Sequence, residues 1–582
     1  MKYNMKNIFL LLGTVYFSLF CNHLIAKNDL LEWVPKDSTL LLEIDNISEF
    51  NKEIESGPLG EFMKSEAWEK IYHWMEGEWK DEISYNEEKK DLLMERIGEW
   101  SESFNGQALF AVSDIKQILS KKTPNLTMLM ATDATQEKLE DTLRWIKKEV
   151  AASKGSFSWE REKIAGEVVH WIGADNTKKN VQKFAIVLFD KTFGIFTGGK
   201  EHVKDILLRK SKNSDFKSIL KNNHYLDLFE EIERGSARTF LNFESLDEFM
   251  KEVESHSTAQ IPENPFGVKT SNLISALGLN SIDCIGAQID SEDGRLTLSS
   301  GAYFNKYEGL FSFIQHDGKE EAIPYDFVPT QAFTVSSARY DFGKLWPTIE
   351  KIVSDLSPQL LLLMNSQIQA FEDQAGVPFR RDVLGSFGDE MVSFSLLDQD
   401  AKTAKDFENA NPSFYAFSLL DSDLFDRSLR SMIEAFSSGQ DLFEERVHKG
   451  VTIRKIRGIE ASGISISYAV AEKWFLLGMG DDVHMTQLIN RFDGKGRSIW
   501  SGKQIKQALK AMPDGVRQID YVNFDRLTQF LIPIIMDSIK EESDLRLKAK
   551  DFPELPYFLL AWSKNVKKGI IGKGELFPIS KK

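Results

Sequence analysis

The sequence predicts an α+β protein built from two tandem copies of one module, each an antiparallel or mixed sheet covered by helices mainly on one side. Three observations predict it. Short runs of β-branched and aromatic residues with period-two alternation are separated by two to six residues, which suits hairpins and meanders better than crossover helices. Between some of them lie longer stretches with apolar residues at helical spacing. Blocks of the first half then return in the same order in the second.

The first residues stand apart from the rest. Lys2 and Lys6 precede an apolar run from Ile8 to Phe20, and Leu24-Ile25-Ala26 places a small residue at a cleavage position. That is the layout of a secretory signal peptide, so residues 1–26 are expected to be removed and the mature body exported to the periplasm or cell envelope. The run is short for a transmembrane helix, which takes about 20 apolar residues. Phe20 stands before Cys21 where lipidation wants a small residue. Leu360 to Met364 and Leu531 to Met536 are too short to span a bilayer, so no transmembrane segment is expected after cleavage.

The repeat sets the domains: copy 1 over 27–303, a bridge over 304–324 and copy 2 over 325–582. Val34-Pro35 and the strand-like Leu40 to Ile44 return as Val328-Pro329 and Phe333 to Val335. Asn125 to Leu129, Asp133, Leu139 and Leu143 return as Asn411 to Ala416, Asp421, Phe425 and Leu429. Phe193 to Gly198, His202 and Arg209 align with Phe475 to Gly480, His484 and Arg491. Asn242-Phe243, Leu246 and Phe249 recur as Asn523-Phe524, Leu527 and Phe530. The offset falls from 294 (328 − 34) to 281 (523 − 242), the drift that small loop changes produce. A period this long describes a tandem domain pair, not a solenoid.

In copy 1 strands are expected near 39–44, 107–112, 126–131, 155–160, 167–172, 184–189, 193–197, 237–243, 281–289 and 295–302. Lys191-Thr192 and Glu472-Lys473 read as tight connections. A helix is expected over 136–150, where Leu139, Leu143, Trp145, Ile146 and Val150 fall mostly on one side, and another over 423–436. The stretches 60–100 and 342–375 are expected to be broken helices, the latter at Pro347 and Pro358. Asn46, Asp133, Asp341 and Asp421 are expected N-caps, and Asn242 and Asn523 lie where strands enter helices.

Charge and chemistry narrow the function more by exclusion than by assignment. The chain has 72 basic and 88 acidic side chains, and loss of Lys2 and Lys6 takes the net charge from −16 to −18. Such a surface repels phosphate backbones and anionic lipid, so nucleic acid is not an expected partner. The mature chain keeps one cysteine, Cys284, which excludes an internal disulfide and is expected to be buried and inert. Gly194 to Lys200 fits the first seven places of a phosphate-binding loop, but Glu201 stands where Ser or Thr must hold magnesium. Gly496 to Lys503 is one residue too long for the same motif. The histidines form no HxxxH or HExxH spacing, and His202 and His484, at matching repeat positions, are expected to cap or pack a turn. With no Gly-x-Ser-x-Gly elbow either, no catalytic, cofactor-binding or metal-ligating residue is nominated.

Two strings carry a resemblance. From Val34 the chain runs VPKDSTLLLEIDNISEFNKEIESGPLGEF, with Ser56-Gly57-Pro58-Leu59-Gly60 near its end. From Ala375 it runs AGVPFRRDVLGSFGDEMVSFSL, with Gly376, Leu384, Gly385, Gly388 and Glu390. In copy 1 the second string is reduced to Trp100 through Ala111, with Gly106. Together they resemble large uncharacterised exported bacterial proteins of the planctomycete and verrucomicrobial type. The resemblance implies export and fold, and glycines at positions of positive φ or close approach. It carries no activity, cofactor or catalytic residue. The leading reading is a non-catalytic periplasmic or envelope protein that presents a cleft or face to an envelope protein, a polymer or a small ligand. The alternatives are an envelope hydrolase with a convergent acid/base site and a binder of apolar cargo such as lipid.

Overall fold

The computed structural model describes residues 29–82, 95–118, 124–152, 157–174, 183–210, 216–244, 268–292, 295–314, 320–397, 412–437, 442–458, 465–528, 531–532 and 547–579, apart from 97, 234, 269, 481, 493 and 495. The expected signal segment, residues 83–94 of the expected helical stretch, and Leu246, Phe249 and Phe530 of the repeat lie outside them. The described residues fall into two compact units, one within Met1–Ser257 and Asp283–Tyr303, the other within Thr258–Ile282 and Phe304–Lys582.

In unit 1, β1 (Leu40–Ile44) ends at Asn46, whose Oδ1 accepts the backbone N–H groups of Ser48 and Glu49 at 3.0 and 3.3 Å. This is the cap expected for α1 (Ile47–Ser56). Pro58 opens α2 (Pro58–Met63) at its first position, where a missing N–H costs nothing, and α3 (Glu66–Glu82) follows. After β2 (Phe104–Ser113) and β3 (Asn125–Thr132) comes α4 (Gln136–Ala152). Its cap is Thr135, which accepts from the Lys138 N–H at 3.2 Å, and not the expected Asp133. Then follow β4 (Phe157–Ile164), β5 (Glu167–Ala174), β6 (Phe184–Phe189) and β7 (Thr192–Phe196). Asp190 and Lys191 join the last two with φ of 45° and 59°, the left-handed pair of a tight hairpin. The connection is thus one residue earlier than expected. α5 (Lys200–Leu207), α6 (Asn223–Glu231), β8 (Ala237–Asn242), β9 (Ile282–Glu292) and β10 (Arg295–Phe304) complete the unit. All ten expected strands exist. β4 runs on to Ile164, and residues 155–156 of the expected strand lie outside the described residues.

The strands lie in the order β10-β9-β8-β1-β2-β3-β7-β6-β5-β4, and every pair from β9 to β4 is antiparallel. Glu43 faces Arg238 on one side and Leu109 on the other, and Gly194 lies between Leu129 and Val187. Helices cover both faces, not mainly one. On one face Ile47 of α1 and Leu139 and Leu143 of α4 pack with Phe104, Met130, Ile172 and Phe193. On the other, Tyr225 of α6 sits 5.4 Å from the Phe240 ring and His202 of α5 packs on Phe196. The cause is in the runs themselves. Phe184 to Phe189 and Leu126 to Ala131 are nearly continuous apolar stretches, which a one-sided sheet would not need.

Unit 2 begins with α7 (Thr270–Ala276) and continues with β11 (Ala332–Arg339), α8 (Leu345–Leu356), α9 (Pro358–Ala375), β12 (Phe387–Leu396) and β13 (Ser413–Leu419). Next are α10 (Ser422–Ser437), β14 (Phe443–His448), β15 (Val451–Ile456), β16 (Ile466–Ala471), β17 (Trp474–Met479), α11 (Asp482–Phe492) and α12 (Lys503–Lys510). β18 (Val516–Asn523), β19 (Tyr557–Val566) and β20 (Gly569–Pro578) close the chain. Their order, β20-β19-β18-β11-β12-β13-β17-β16-β15-β14, matches unit 1 strand for strand. The match reaches outside the sheets: Pro35 bridges Ser218 and Pro329 bridges Ser498.

Two expectations change in this unit. Pro347 does not break its helix, because it sits in the first turn of α8, where the proline N–H would have no partner. The break comes at Ser357-Pro358 alone. Asp341 is no side-chain cap and instead pairs with Lys344 at 3.1 Å, whereas Asp421 caps as expected, its Oδ1 accepting from Leu424 N–H at 2.8 Å.

Candidate functional site

A hydrolase needs an acid and a base that a substrate can reach. The strongest buried titratable group of unit 1 is Glu43 on β1, held by Gln107 Nε2 at 2.8 Å, Tyr225 Oη at 3.2 Å and the Arg238 guanidinium, which also binds Asp45. Burial pushes its carboxyl up to about 7, with Arg238 opposing and the Asp45 charge adding. Its side chain is 0% exposed, so no substrate touches it. In unit 2, Glu390 is likewise enclosed by Tyr325, by Arg339 at 3.3 Å and by Lys473 at 2.5 Å.

Of the histidines, His202 lines a hollow together with Asp37, Asp114 and Asp205. His202 Nε2 meets Thr127 Oγ1 at 3.0 Å, and burial pushes its imidazole down to about 4. His170 is bound by Trp159 Nε1 at 3.0 Å and Gln136 at 2.8 Å, and burial lowers it too. His448 meets Asn490 at 2.9 Å. Each of these three imidazoles is hydrogen-bonded to a neutral side chain, and His202 does not cap its helix. Gly194 lies inside β7, and Lys200 pairs with Glu162, so the phosphate-loop-like string is a strand, a glycine turn and a helix start. Cys284 is buried and unbridged. Among the described residues no group of three or more His, Cys, Asp or Glu is placed to hold a metal ion.

The feature that stands out instead is α9. Gly376, at φ 67°, ends the helix in the left-handed conformation that terminates it. Near that end Phe371 and Ala375 pack against Val383, Leu419, Phe425 and Met432, and Gln374 Nε2 donates to the Ala435 carbonyl at 3.0 Å. Arg380 bonds Asn365 at 2.5 Å, pairs with Glu350 at 3.3 Å and lies 5.3 Å over the Trp346 ring, tying α9 to α8. The other end is different. Pro358 to Phe371 holds no charged residue, and Leu360 to Met364 is wholly apolar. Leu362 is 70% exposed and Leu363 50%, and no residue of the 18-residue helix is buried. Leu273 of α7 and Leu310 of the 309–311 turn are also exposed, and both of those elements pack on α8. At the matching place in unit 1, α2 and α3 expose Leu59 and Trp74.

No protein-family model matches the chain, and no curated protein is similar to it in sequence. Three crystal forms of TP0453 are structurally alike only at a low level. Form I is 7% identical with a TM-score of 0.23, over 48% of this chain and 81% of that one. Form III gives 8%, 0.24, 48% and 82%, and form IV 7%, 0.22, 50% and 87%.

Sequence reasoning met Leu360 to Met364 only as a run too short to span a bilayer. The signal it held was the uncharged stretch around those leucines, which a buried helix shares. Exposure separates the two, and exposure is not written in periodicity. Among the described residues no helix is long and apolar enough to cross a membrane.

Proposed function

We propose that this is a non-catalytic protein of the cell envelope that binds apolar matter of lipid type through the leucine end of α9. The observation that carries the reading is the exposure of Leu362 and Leu363 on a helix anchored at its other end. Each leucine left in water forfeits about 2 kcal/mol of burial, so such a surface is retained where something apolar covers it. The ion pairs and burial of Glu43 and Glu390 support a structural role for these two carboxylates. Export by a signal peptide, kinship with the planctomycete-type exported proteins and origin by duplication belong to the same proposal. The shared strand order of the two units supports the last of these.

The absence of charge along Pro358 to Phe371 favours uncharged or zwitterionic lipid, because the acidic body repels anionic headgroups. Flotation of the mature protein with phosphatidylcholine vesicles tests this. Binding is expected, and Leu362→Glu with Leu363→Glu should weaken it by about a hundredfold or more, as the loss of two buried leucines implies. Undiminished binding by the double variant, or no flotation of the parent, contradicts the reading.

A further inference from the structure

At one end of the unit 1 sheet, where β1 begins and β2 and β8 end, two adjoining hollows of about 400 and 510 Å3 share Lys36, Asp37 and Asp114 in their walls. From this geometry we propose a second binding site, separate from α9, for a neutral polyhydroxylated ligand of saccharide type.

The size is that of small-molecule sites, about 300–1,000 Å3, but the usual apolar lining is missing. Asp37, Asp114, Asp205 and Glu244 line the hollows with Lys36, Lys116 and Lys217, four acidic residues against three basic. Near balance of charge suits an uncharged ligand rather than an ion. Dense donors and acceptors suit hydroxyl groups, which must find partners when they leave water. Phe216 lines the larger hollow, and an aromatic ring suits the C–H side of a sugar.

The walls are built and not merely polar. Asn222 is buried with both amide ends spent, Oδ1 on Tyr225 N–H and Nδ2 on the Lys36 carbonyl, each at 3.1 Å. Asn242 is buried too, and its Oδ1 accepts from Glu244 N–H at 3.2 Å. Thr39, only 2% exposed, lines the smaller hollow, and its Oγ1 has no hydrogen-bond partner. A buried hydroxyl left unpaired is a cost to the empty protein, and rotation about its χ1 presents it to a ligand hydroxyl.

Calorimetric titration of the intact mature chain with chitotriose and with maltotriose tests the site. Dissociation constants at or below about 1 mM are expected for at least one of them. Heat with chitotriose alone assigns acetamido sugars of a wall-type glycan, and equal heats assign the bare hydroxyl pattern. Thr39→Val should lower affinity about fivefold or more while leaving the melting temperature equal or higher, since it removes an unpaired buried group. Thr39→Ser should restore binding, and Asp37→Asn with Asp114→Asn should abolish it. No heat from either sugar at about 10 mM, or unchanged affinity in Thr39→Val, overturns the proposal. Vesicle flotation should be the same in all these variants, so failure of the saccharide site is distinct from failure of the lipid reading.

Discussion

Glu43 and His202 give unit 1 two opposed pH dependences. Burial raises the Glu43 carboxyl from its ordinary 4.5 to about 7, so the folded state holds a proton that the unfolded chain releases. Its contribution is present below about 4.5 and is lost as pH rises through about 7. Burial lowers the His202 imidazole from 6.5 to about 4, so its contribution is present above 6.5 and is lost as pH falls through about 4. Between 4.5 and 6.5 the slopes partly cancel, and single variants are needed to see them. From pH 5 to 6.5 the parent should change little, whereas Glu43→Gln should gain stability with rising pH by up to about 1 kcal/mol per pH unit, the His202 slope left uncovered. His202→Gln should instead lose stability with rising pH over the same range, the Glu43 slope left uncovered. Parallel curves for parent and variant would remove either assignment. The sequence marked His202 as a repeated residue but could not show its burial. It was silent on Glu43, whose partners Gln107, Tyr225 and Arg238 lie far along the chain.

Gly198 makes the same point from the backbone. It has φ 88°, and its repeat partner Gly480 has φ 115°, so both turns ask for glycine. A Cβ at Gly198 would also strike Asn125. Gly198→Ala should cost about 2 kcal/mol or more in urea unfolding, and a near-neutral effect would show that the turn relaxes freely. The phosphate-loop-like string thus holds a turn whose backbone asks for glycine at Gly198.

At the scale of elements, type and order were legible, and faces were not. Period-two runs located every strand of unit 1, and the expected helix over 423–436 is Ser422–Ser437. The two-sided cover escaped because continuous apolar runs such as Phe184 to Phe189 were read for length and not for facing. Burial also ranks the helices. Leu143 on α4 is 1% exposed, so Leu143→Ala should cost about 3 kcal/mol. Leu362→Ala on α9 should fall within about 0.5 kcal/mol of the parent. Similar losses at the two positions would mean that α9 is packed and not presented.

Across the whole molecule the two units keep one strand order while their buried polar groups have diverged. Glu43 faces Arg238 across β1 and β8, whereas Ser337 faces Ile519 across β11 and β18. Unit 2 places its enclosed carboxylate on β12, at Glu390, among Arg339, Lys473 and Tyr325. The blocks that recur in sequence lie on or beside β1, β3, β7 and β8 and on their counterparts in sheet order, while β9–β10 and β19–β20 correspond in sheet order with no recognisable sequence echo. The Pro35–Ser218 and Pro329–Ser498 bridges were equally hidden, because each joins segments far apart in the chain.

An environment-sensitive fluorophore placed on α9 reports whether this helix meets lipid. In a chain of residues 27–582, Leu362→Cys gives one reactive thiol, since Cys284 is buried. Labelled there, the protein should brighten and shift to the blue with phosphatidylcholine vesicles, whereas a label at exposed Lys510→Cys on α12 should not change. An unchanged signal at 362 would contradict the account.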